Sequence, residues 1–249
     1  MDQFHNIAAV IMAAGKGTRM KSDLAKVLHP LAGKPMIFHS IQKLSKIIPQ
    51  KNIYVVISHQ AELVKEQITN QFNVNFVYQK TPLGTADAIK SAIHKLKGSP
   101  EALLVVGGDD SAFYSKETLR EFINSYSDKN PSVTMMTLIK KEENTVAKIF
   151  RDEHGEFLEN MEHFRYINSG KHSNEINCGA YIFNFNWLKE NINKVKLSEK
   201  GEYLLTDLLK IAKENEDKIS LYQLENPNEW IGINTPEELE KANILMNKK

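Results

Sequence analysis

One cysteine, Cys178, stands among 249 residues. A lone thiol excludes an internal disulfide framework and a zinc site built from several cysteines, and it fits a reducing cytoplasm. An excess of one charge is missing too: 32 Lys and Arg stand against 31 Asp and Glu, a formal net charge of +1. Such a chain is not drawn to nucleic acid by bulk charge, so any phosphate recognition has to be local. No apolar run approaches the roughly 20 residues of a membrane-spanning helix. The terminus Met1-Asp2-Gln3-Phe4-His5-Asn6 lacks the basic n-region of a signal peptide. The expected protein is cytoplasmic, with neither a nucleic-acid nor a membrane partner. The histidines His29, His39, His59, His94 and His163 show no metal-ligand spacing with cysteine. What remains is 41% hydrophobic and 25% charged, enough to bury a sizeable core in a single domain.

The first 140 residues alternate two kinds of segment. Short apolar runs at 7–14, 53–57, 74–78, 102–106 and 133–139 read as strands. Segments of helical spacing lie between them at 35–47, 61–68, 86–96 and 118–126. Apolar strands separated by amphipathic helices predict βαβ units and a mostly parallel sheet covered on both faces. Right-handed crossovers then carry the strand C-terminal ends to one edge, where open α/β sheets bind ligands. After Lys140 the pattern changes. Segments 145–151 and 157–161 flank Asp152-Glu153-His154-Gly155 as a hairpin. Further strands are expected at 176–185 and 219–224, and a helix at 203–213. Thr235-Pro236-Glu237-Glu238 predicts a capping box opening a last helix.

Three stretches carry chemistry at expected strand ends. Ala13-Ala14-Gly15-Lys16-Gly17-Thr18-Arg19-Met20 follows the first strand, with Lys26 further on. Glycines let backbone N–H groups curl around an anion, and Lys16, Arg19 and Lys26 put cations beside that bend. The dinucleotide fingerprint needs a third glycine where Met20 stands, and the P-loop spacing is absent. Gly107-Gly108-Asp109-Asp110 ends another strand, and a carboxylate there suits Mg²⁺, although a turn aspartate reads the same way. Gln79 has a donor and an acceptor for a base edge, ahead of Gly84, Thr85 and Ala86. Asn234 precedes the capped helix. Glu162, Asn177 and 201–207 offer polar groups in the second half.

In this order and spacing, these segments resemble the sugar-1-phosphate nucleotidylyltransferases. The nearest likeness is to the uridylyltransferase domain of the bifunctional N-acetylglucosamine-1-phosphate uridylyltransferase/glucosamine-1-phosphate acetyltransferase family, across essentially the whole sequence. The resemblance implies a Rossmann-like three-layer α/β fold with a mixed, mostly parallel sheet and an added β-rich sugar-binding lobe. It implies one domain over 1–249: a nucleotide-binding half at 1–140, then a sugar-phosphate half and a C-terminal helix at 141–249. The left-handed β-helix acetyltransferase domain is expected to be absent.

Ala13, Ala14, Gly15, Lys16, Gly17 and Thr18 would hold the triphosphate, with Gln79, Gly84 and Thr85 at the base. Arg19, Lys26 and Asp109 would be catalytic. Asp109 and Asn234 would hold Mg²⁺. Glu162, Asn177 and Ala147 would meet the sugar. The substrates implied are an NTP, UTP first, and a sugar 1-phosphate such as N-acetylglucosamine 1-phosphate. The expected assembly is a monomer or homodimer.

Departures cluster at the sugar end. Ala25-Lys26 stands for Pro-Lys, which predicts a less rigid loop. Gly107 stands for a tyrosine, and Asp110-Ser111 for Val-Pro. Thr145-Val146-Ala147-Lys148 stands for Gly-Tyr-Gly-Arg, so a glycine touching the sugar is replaced by Ala147. Open alternatives are a cytidylyltransferase for another small phosphate, a glycosyltransferase using Asp109-Asp110, and a non-catalytic nucleotide-sugar sensor.

Overall fold

The computed structural model describes residues 3–142 and 144–248; Met1 and Asp2 of the N-terminal reading, Glu143 and Lys249 lie outside the described residues. β1 (Ile7–Ala13) is a strand of small and branched apolar residues. A hairpin of β2 (Pro30–Leu31) and β3 (Lys34–Pro35) leads into α1 (Met36–Leu44). Then come β4 (Ile53–Ile57), α2 (Ala61–Thr69), β5 (Asn75–Tyr78) and α3 (Thr85–Ile93). β6 (Ala102–Gly107), α4 (Lys116–Lys129) and β7 (Val133–Ile139) complete the alternating half. The second half holds β8 (Lys148–Arg151), β9 (Phe157–Met161), α5 (His163–Tyr166), β10 (Glu175–Asn184) and α6 (Phe185–Asn191). It ends with α7 (Asp207–Glu214), β11 (Ile219–Gln223) and α8 (Pro236–Met246).

The main sheet runs in the order β11-β7-β10-β6-β1-β4-β5, with the β8–β9 hairpin attached to β10. β1 pairs in parallel with β4 and β6, β4 with β5, and β7 with β11. β10 runs antiparallel between β6 and β7. The sheet is therefore mixed and mostly parallel, as expected. The second half does not build its own sheet: its strand β10 is inserted into that of the first.

Strand periodicity fills both faces. Ile7, Ala9, Ile11 and Ala13 of β1 pack into one apolar cluster with α1, α2 and α4. Ala8 and Val10 point the other way, toward α3, α6 and α7. These two clusters make the three layers. A third cluster, with Leu31, Met36, Phe113, Ile233 and Ala242, docks α8 beside the β2–β3 hairpin.

Two expectations need correcting. The helix expected at 203–213 begins only at Asp207. Tyr203 instead bridges Leu197, donates its N–H to Leu83 and accepts from Ala86, so tertiary hydrogen bonds hold residue 203 out of the helix and the chain turns through 204–206 before α7. The strand expected to reach Phe185 stops at Asn184, whose side chain accepts from the Trp187 N–H and opens α6.

The last helix starts as predicted. Thr235 Oγ1 accepts from Glu238 N at 3.2 Å, while Glu238 Oε2 accepts from the N–H groups of Asn234 and Thr235 at 2.6 and 3.0 Å. Thr235→Ala removes one arm and is expected to cost about 1 kcal/mol. A melting temperature lower by roughly 2–4 °C checks this; no change would show that Glu238 alone holds the turn.

Candidate active site

A cleft of about 810 Å³ opens at the C-terminal ends of β1 and β6, reaching across to β10 and the 201–206 segment. Every residue singled out for a site role lines it. The first wall is the bend Ala13, Ala14, Gly15, Lys16, Gly17, Thr18 and Arg19, with Lys26 behind. Gln79, Gly84 and Thr85 form a second wall. Asp109 and Asn234 lie at the middle, and Ala147, Glu162 and Asn177 at the far end. Asp110, Gly179 and Tyr181 also line the cleft; the sequence offers Asp110 only as the second acid of an Asp109-Asp110 pair and gives Gly179 and Tyr181 no part.

The bend lies close over Lys26: a Cβ at Gly17 would sit 2.7 Å from the Lys26 Cβ. Lys26 is nearly buried. Its Nζ donates to Asp109 Oδ2 and, at 2.7 Å, to Asn234 Oδ1. Arg19 Nη2 reaches the same Asn234 oxygen at 2.9 Å. Residues 19, 26, 109 and 234, distant in sequence, thus meet in one hydrogen-bonded group. Two backbone features set this meeting. Ile233 N donates to the Asp109 carbonyl at 3.2 Å, and the α8 capping box holds the Asn234 backbone.

The loop before Lys26 is firmer than the Ala25 substitution suggests. Ala25 N donates to Gln60 Oε1 at 2.7 Å, and Gln60 Nε2 to the Asp23 carbonyl at 2.6 Å. Ala25 has φ −51°, which proline would accept, but proline would lose the bond to Gln60. A side-chain clamp stands here in place of a ring.

At the second wall, Gln79 is buried. Its Nε2 donates to Asp87 Oδ2 at 2.6 Å and to the Gly84 carbonyl at 3.2 Å. A carboxylate and a carbonyl only accept, so the amide orientation follows from its partners. Oε1 is left as the acceptor. Thr85 Oγ1 takes the Leu205 N–H at 2.9 Å, tying this wall to the second half.

At the far end, Asn177 Oδ1 accepts from Gly179 N at 2.9 Å and from the Tyr181 hydroxyl at 3.0 Å, and its Nδ2 donates to Asn160 at 2.8 Å. β10 shifts register between Asn177 and Tyr181, so this amide holds a bulge together. Glu162 Oε1 accepts from Thr206 Oγ1 at 2.8 Å. Ala147 gives its carbonyl to Asn177 N at 3.0 Å. Trp230 Nε1 and the Tyr114 hydroxyl both donate to the Cys178 carbonyl, at 2.9 and 3.2 Å, which pins the bulge from behind. Cys178 itself is wholly buried, and burial pushes its thiol well above the ordinary range. Burial first, and then the neighbouring Asp109, push the Asp110 carboxyl well above the carboxylate range.

Among the described residues, no group of three His, Cys, Asp or Glu side chains converges for a metal. The Asp109–Asn234 pair still fits a hard divalent cation. One carboxylate and one amide oxygen, both hard donors, already close on a positive group, the Lys26 ammonium. Its remaining ligands would come from phosphate oxygens and water.

A glycine bend ringed by cations at the edge of a mostly parallel sheet is the kind of anion-binding site that α/β proteins build at their strand ends. The nucleotidyl transferase family profile matches residues 8–249, and the chain belongs to that family. Relatives include the bifunctional protein GlmU of Bacillus cereus (strain AH187), 36% identical over 245 residues. That match covers 98% of this chain and 52% of the relative. The bifunctional protein GlmU of an Exiguobacterium species is 35% identical over 242 residues, covering 97% of this chain and 53% of the relative. The chain thus spans about half the length of these relatives. A crystal structure from Bacillus anthracis, described as a glucose-1-phosphate thymidylyltransferase with a sucrose, shares the fold. Its TM-score is 0.79 at 19% identity, covering 98% of this chain and 96% of that one. Among the described residues, no helix is long and apolar enough to cross a membrane.

Proposed function

We propose that this chain transfers a nucleotidyl group from an NTP, with UTP as the favoured nucleotide, to the phosphate of a sugar 1-phosphate, releasing pyrophosphate. The convergence of Arg19, Lys26, Asp109 and Asn234 beside the glycine bend carries the reading. A phosphate oxygen of the sugar 1-phosphate attacks the α-phosphorus in line. A new P–O bond forms, the α–β bridging bond breaks, and its electron pair leaves on pyrophosphate. The nucleophile is already an anion at neutral pH, so the protein needs no strong base. Its task is to hold two anions together and offset their repulsion. In this reading Lys26 would neutralise the attacking and α-phosphate oxygens, and Arg19 the departing β- and γ-phosphates. A divalent cation, Mg²⁺ in this reading, held by Asp109 and Asn234, would add charge neutralisation there.

Base choice follows from Gln79. Its Nε2 is occupied by Asp87 and Gly84, so Oε1 meets the base. An acceptor there pairs with the N3–H of uracil and is repelled by the bare N3 of cytosine. Pyrophosphate release from four NTPs against a panel of sugar 1-phosphates tests both parts. UTP is expected to exceed CTP by at least about 100-fold in kcat/KM, a discrimination that Gln79→Ala narrows to within about tenfold. Equal use of the two by the unaltered protein would reject the uracil assignment, and no pyrophosphate with any pair would reject the transfer reaction.

A further inference from the structure

Asp87 stands behind the second wall of the cleft, outside the residues that line it. It lies in the first turn of α3, and its Oδ2 accepts from Gln79 Nε2 at 2.6 Å. It thus touches the side chain assigned to the base without facing the base itself. Gln79 is fixed at its root: its backbone N–H donates to the Ile57 carbonyl at 2.9 Å. The amide at the other end has two settings, related by a half-turn about its last bond. In the setting observed, Nε2 points at Asp87 and at the Gly84 carbonyl, and Oε1 is left over. Gln79 lines the cleft, and this oxygen is neither bonded within the protein nor shut off from solvent.

In the turned setting Oε1 would meet the Asp87 carboxylate, two acceptors with no proton between them, and Nε2 would face the cleft. The Gly84 carbonyl contributes less to the choice. It also accepts from the Ala88 N–H at 3.2 Å, and its bond to Gln79, at 3.2 Å, is the longer of the two and neutral. A charge-assisted hydrogen bond is roughly twice as strong as a neutral one, and losing one shifts an equilibrium by roughly 10–100-fold. Asp87 therefore sets which atom of Gln79 the cleft receives.

We propose that Asp87 decides which pyrimidine nucleotide is used, as a positioning residue that acts through Gln79 and never touches the nucleotide. This rests on the nucleotidyl-transfer reading with Gln79 at the base. An Oε1 acceptor suits the N3–H of uracil, and an Nε2 donor would suit the bare N3 of cytosine. The choice between UTP and CTP is made one residue back from the contact, by a carboxylate that leaves a single amide setting open. Asparagine at 87 accepts or donates, so it satisfies Gln79 in either setting, and alanine satisfies neither. Both changes free the amide to turn, and the turned form pairs with CTP.

The test measures pyrophosphate release from UTP and from CTP with N-acetylglucosamine 1-phosphate. Asp87→Asn, Asp87→Ala, Gln79→Ala and the double variant Gln79→Ala/Asp87→Asn are run beside the unaltered chain, with melting curves to confirm folding. Calorimetric Kd values for UTP and CTP, with sugar phosphate absent, give the same comparison independently of turnover. The UTP-over-CTP ratio is expected to fall by at least about tenfold in both Asp87 variants, in kcat/KM and in Kd, with the loss borne by UTP while CTP holds or gains. With Gln79 already replaced, Asp87→Asn is expected to move the ratio by less than about twofold, since no amide is left to orient. A purely structural Asp87 would weaken both nucleotides alike and leave the ratio unchanged, which overturns the proposal. So does an equal shift in the ratio with Gln79 absent. A UTP lead that survives both Asp87 variants rejects Asp87 alone, whereas equal binding of the two nucleotides by the unaltered chain rejects the uracil reading and the proposal with it. Should no pyrophosphate appear with either nucleotide, nucleotidyl transfer to this sugar fails, while the Kd ratios still decide for or against Asp87.

Discussion

Asparagine in place of Asp109 is expected to slow pyrophosphate release by about 10²–10³-fold at saturating substrates, the loss seen when one preorganised electrostatic contact is removed from an active site. The change keeps the size and the backbone, whose carbonyl still receives the Ile233 N–H. It removes the charge facing Lys26 and the anionic half of the Asp109–Asn234 pair. The Asp109 side chain is 29% exposed, but Lys26 is nearly buried and keeps only neutral acceptors, so the fold is expected to lose about 1–2 kcal/mol. The melting temperature should fall by no more than about 8 °C. Turnover near that of the unaltered chain would remove Asp109 from the chemistry, and so would a rate loss matched by unfolding. Affinity for Mn²⁺ separates the two roles of the carboxylate: weaker ion binding is expected together with the lost rate.

Alanine at Gly84 is expected to be the most damaging small substitution. Gly84 has φ 112° and ψ 178°, a backbone region that is essentially glycine-only. A Cβ there would also meet the Tyr203 carbonyl oxygen at 2.5 Å and its nitrogen at 2.7 Å. These are backbone atoms already fixed by bonds to Leu83 and Ala86, so they cannot swing aside. Strain and overpacking together give a loss of about 3 kcal/mol, or roughly 6–12 °C in melting temperature. Gly155 is the control. It has φ 79° in the β8–β9 turn, but nothing lies within 4 Å of a Cβ built there. Alanine at 155 should cost about 1 kcal/mol. Equal losses at the two positions would show that backbone strain, not contact with Tyr203, governs Gly84. Because Tyr203 joins the two halves, Gly84→Ala should also raise KM for UTP.

Much of this site was legible because its parts are short and local. The bend after β1 and the Gly-Asp after β6 each combine a strand end with glycine and charge inside a few residues. The capping box at Thr235 is a four-residue pattern, and it placed Asn234 at a helix start. Gln79 was readable as a group with both donor and acceptor, but not which atom faces the cleft, since that depends on Asp87 in the first turn of α3. The firmness of the Ala25 loop was not legible either, because Gln60, which clamps it, comes from the turn after β4.

Alternating apolar runs and helical spacings by themselves determined the layered α/β class, since burial of one face per helix and both faces per strand leaves few other arrangements. Tertiary packing alone decided that β10 enters the sheet antiparallel between β6 and β7. That insertion sets the Asn177–Tyr181 bulge against the end of β6 and closes Asp110 between Gly107 and Gly179. The physical reason is that a carboxylate's solvation depends on what surrounds it in three dimensions. Gly107 and Gly179, which enclose this one, lie 72 positions apart in the sequence.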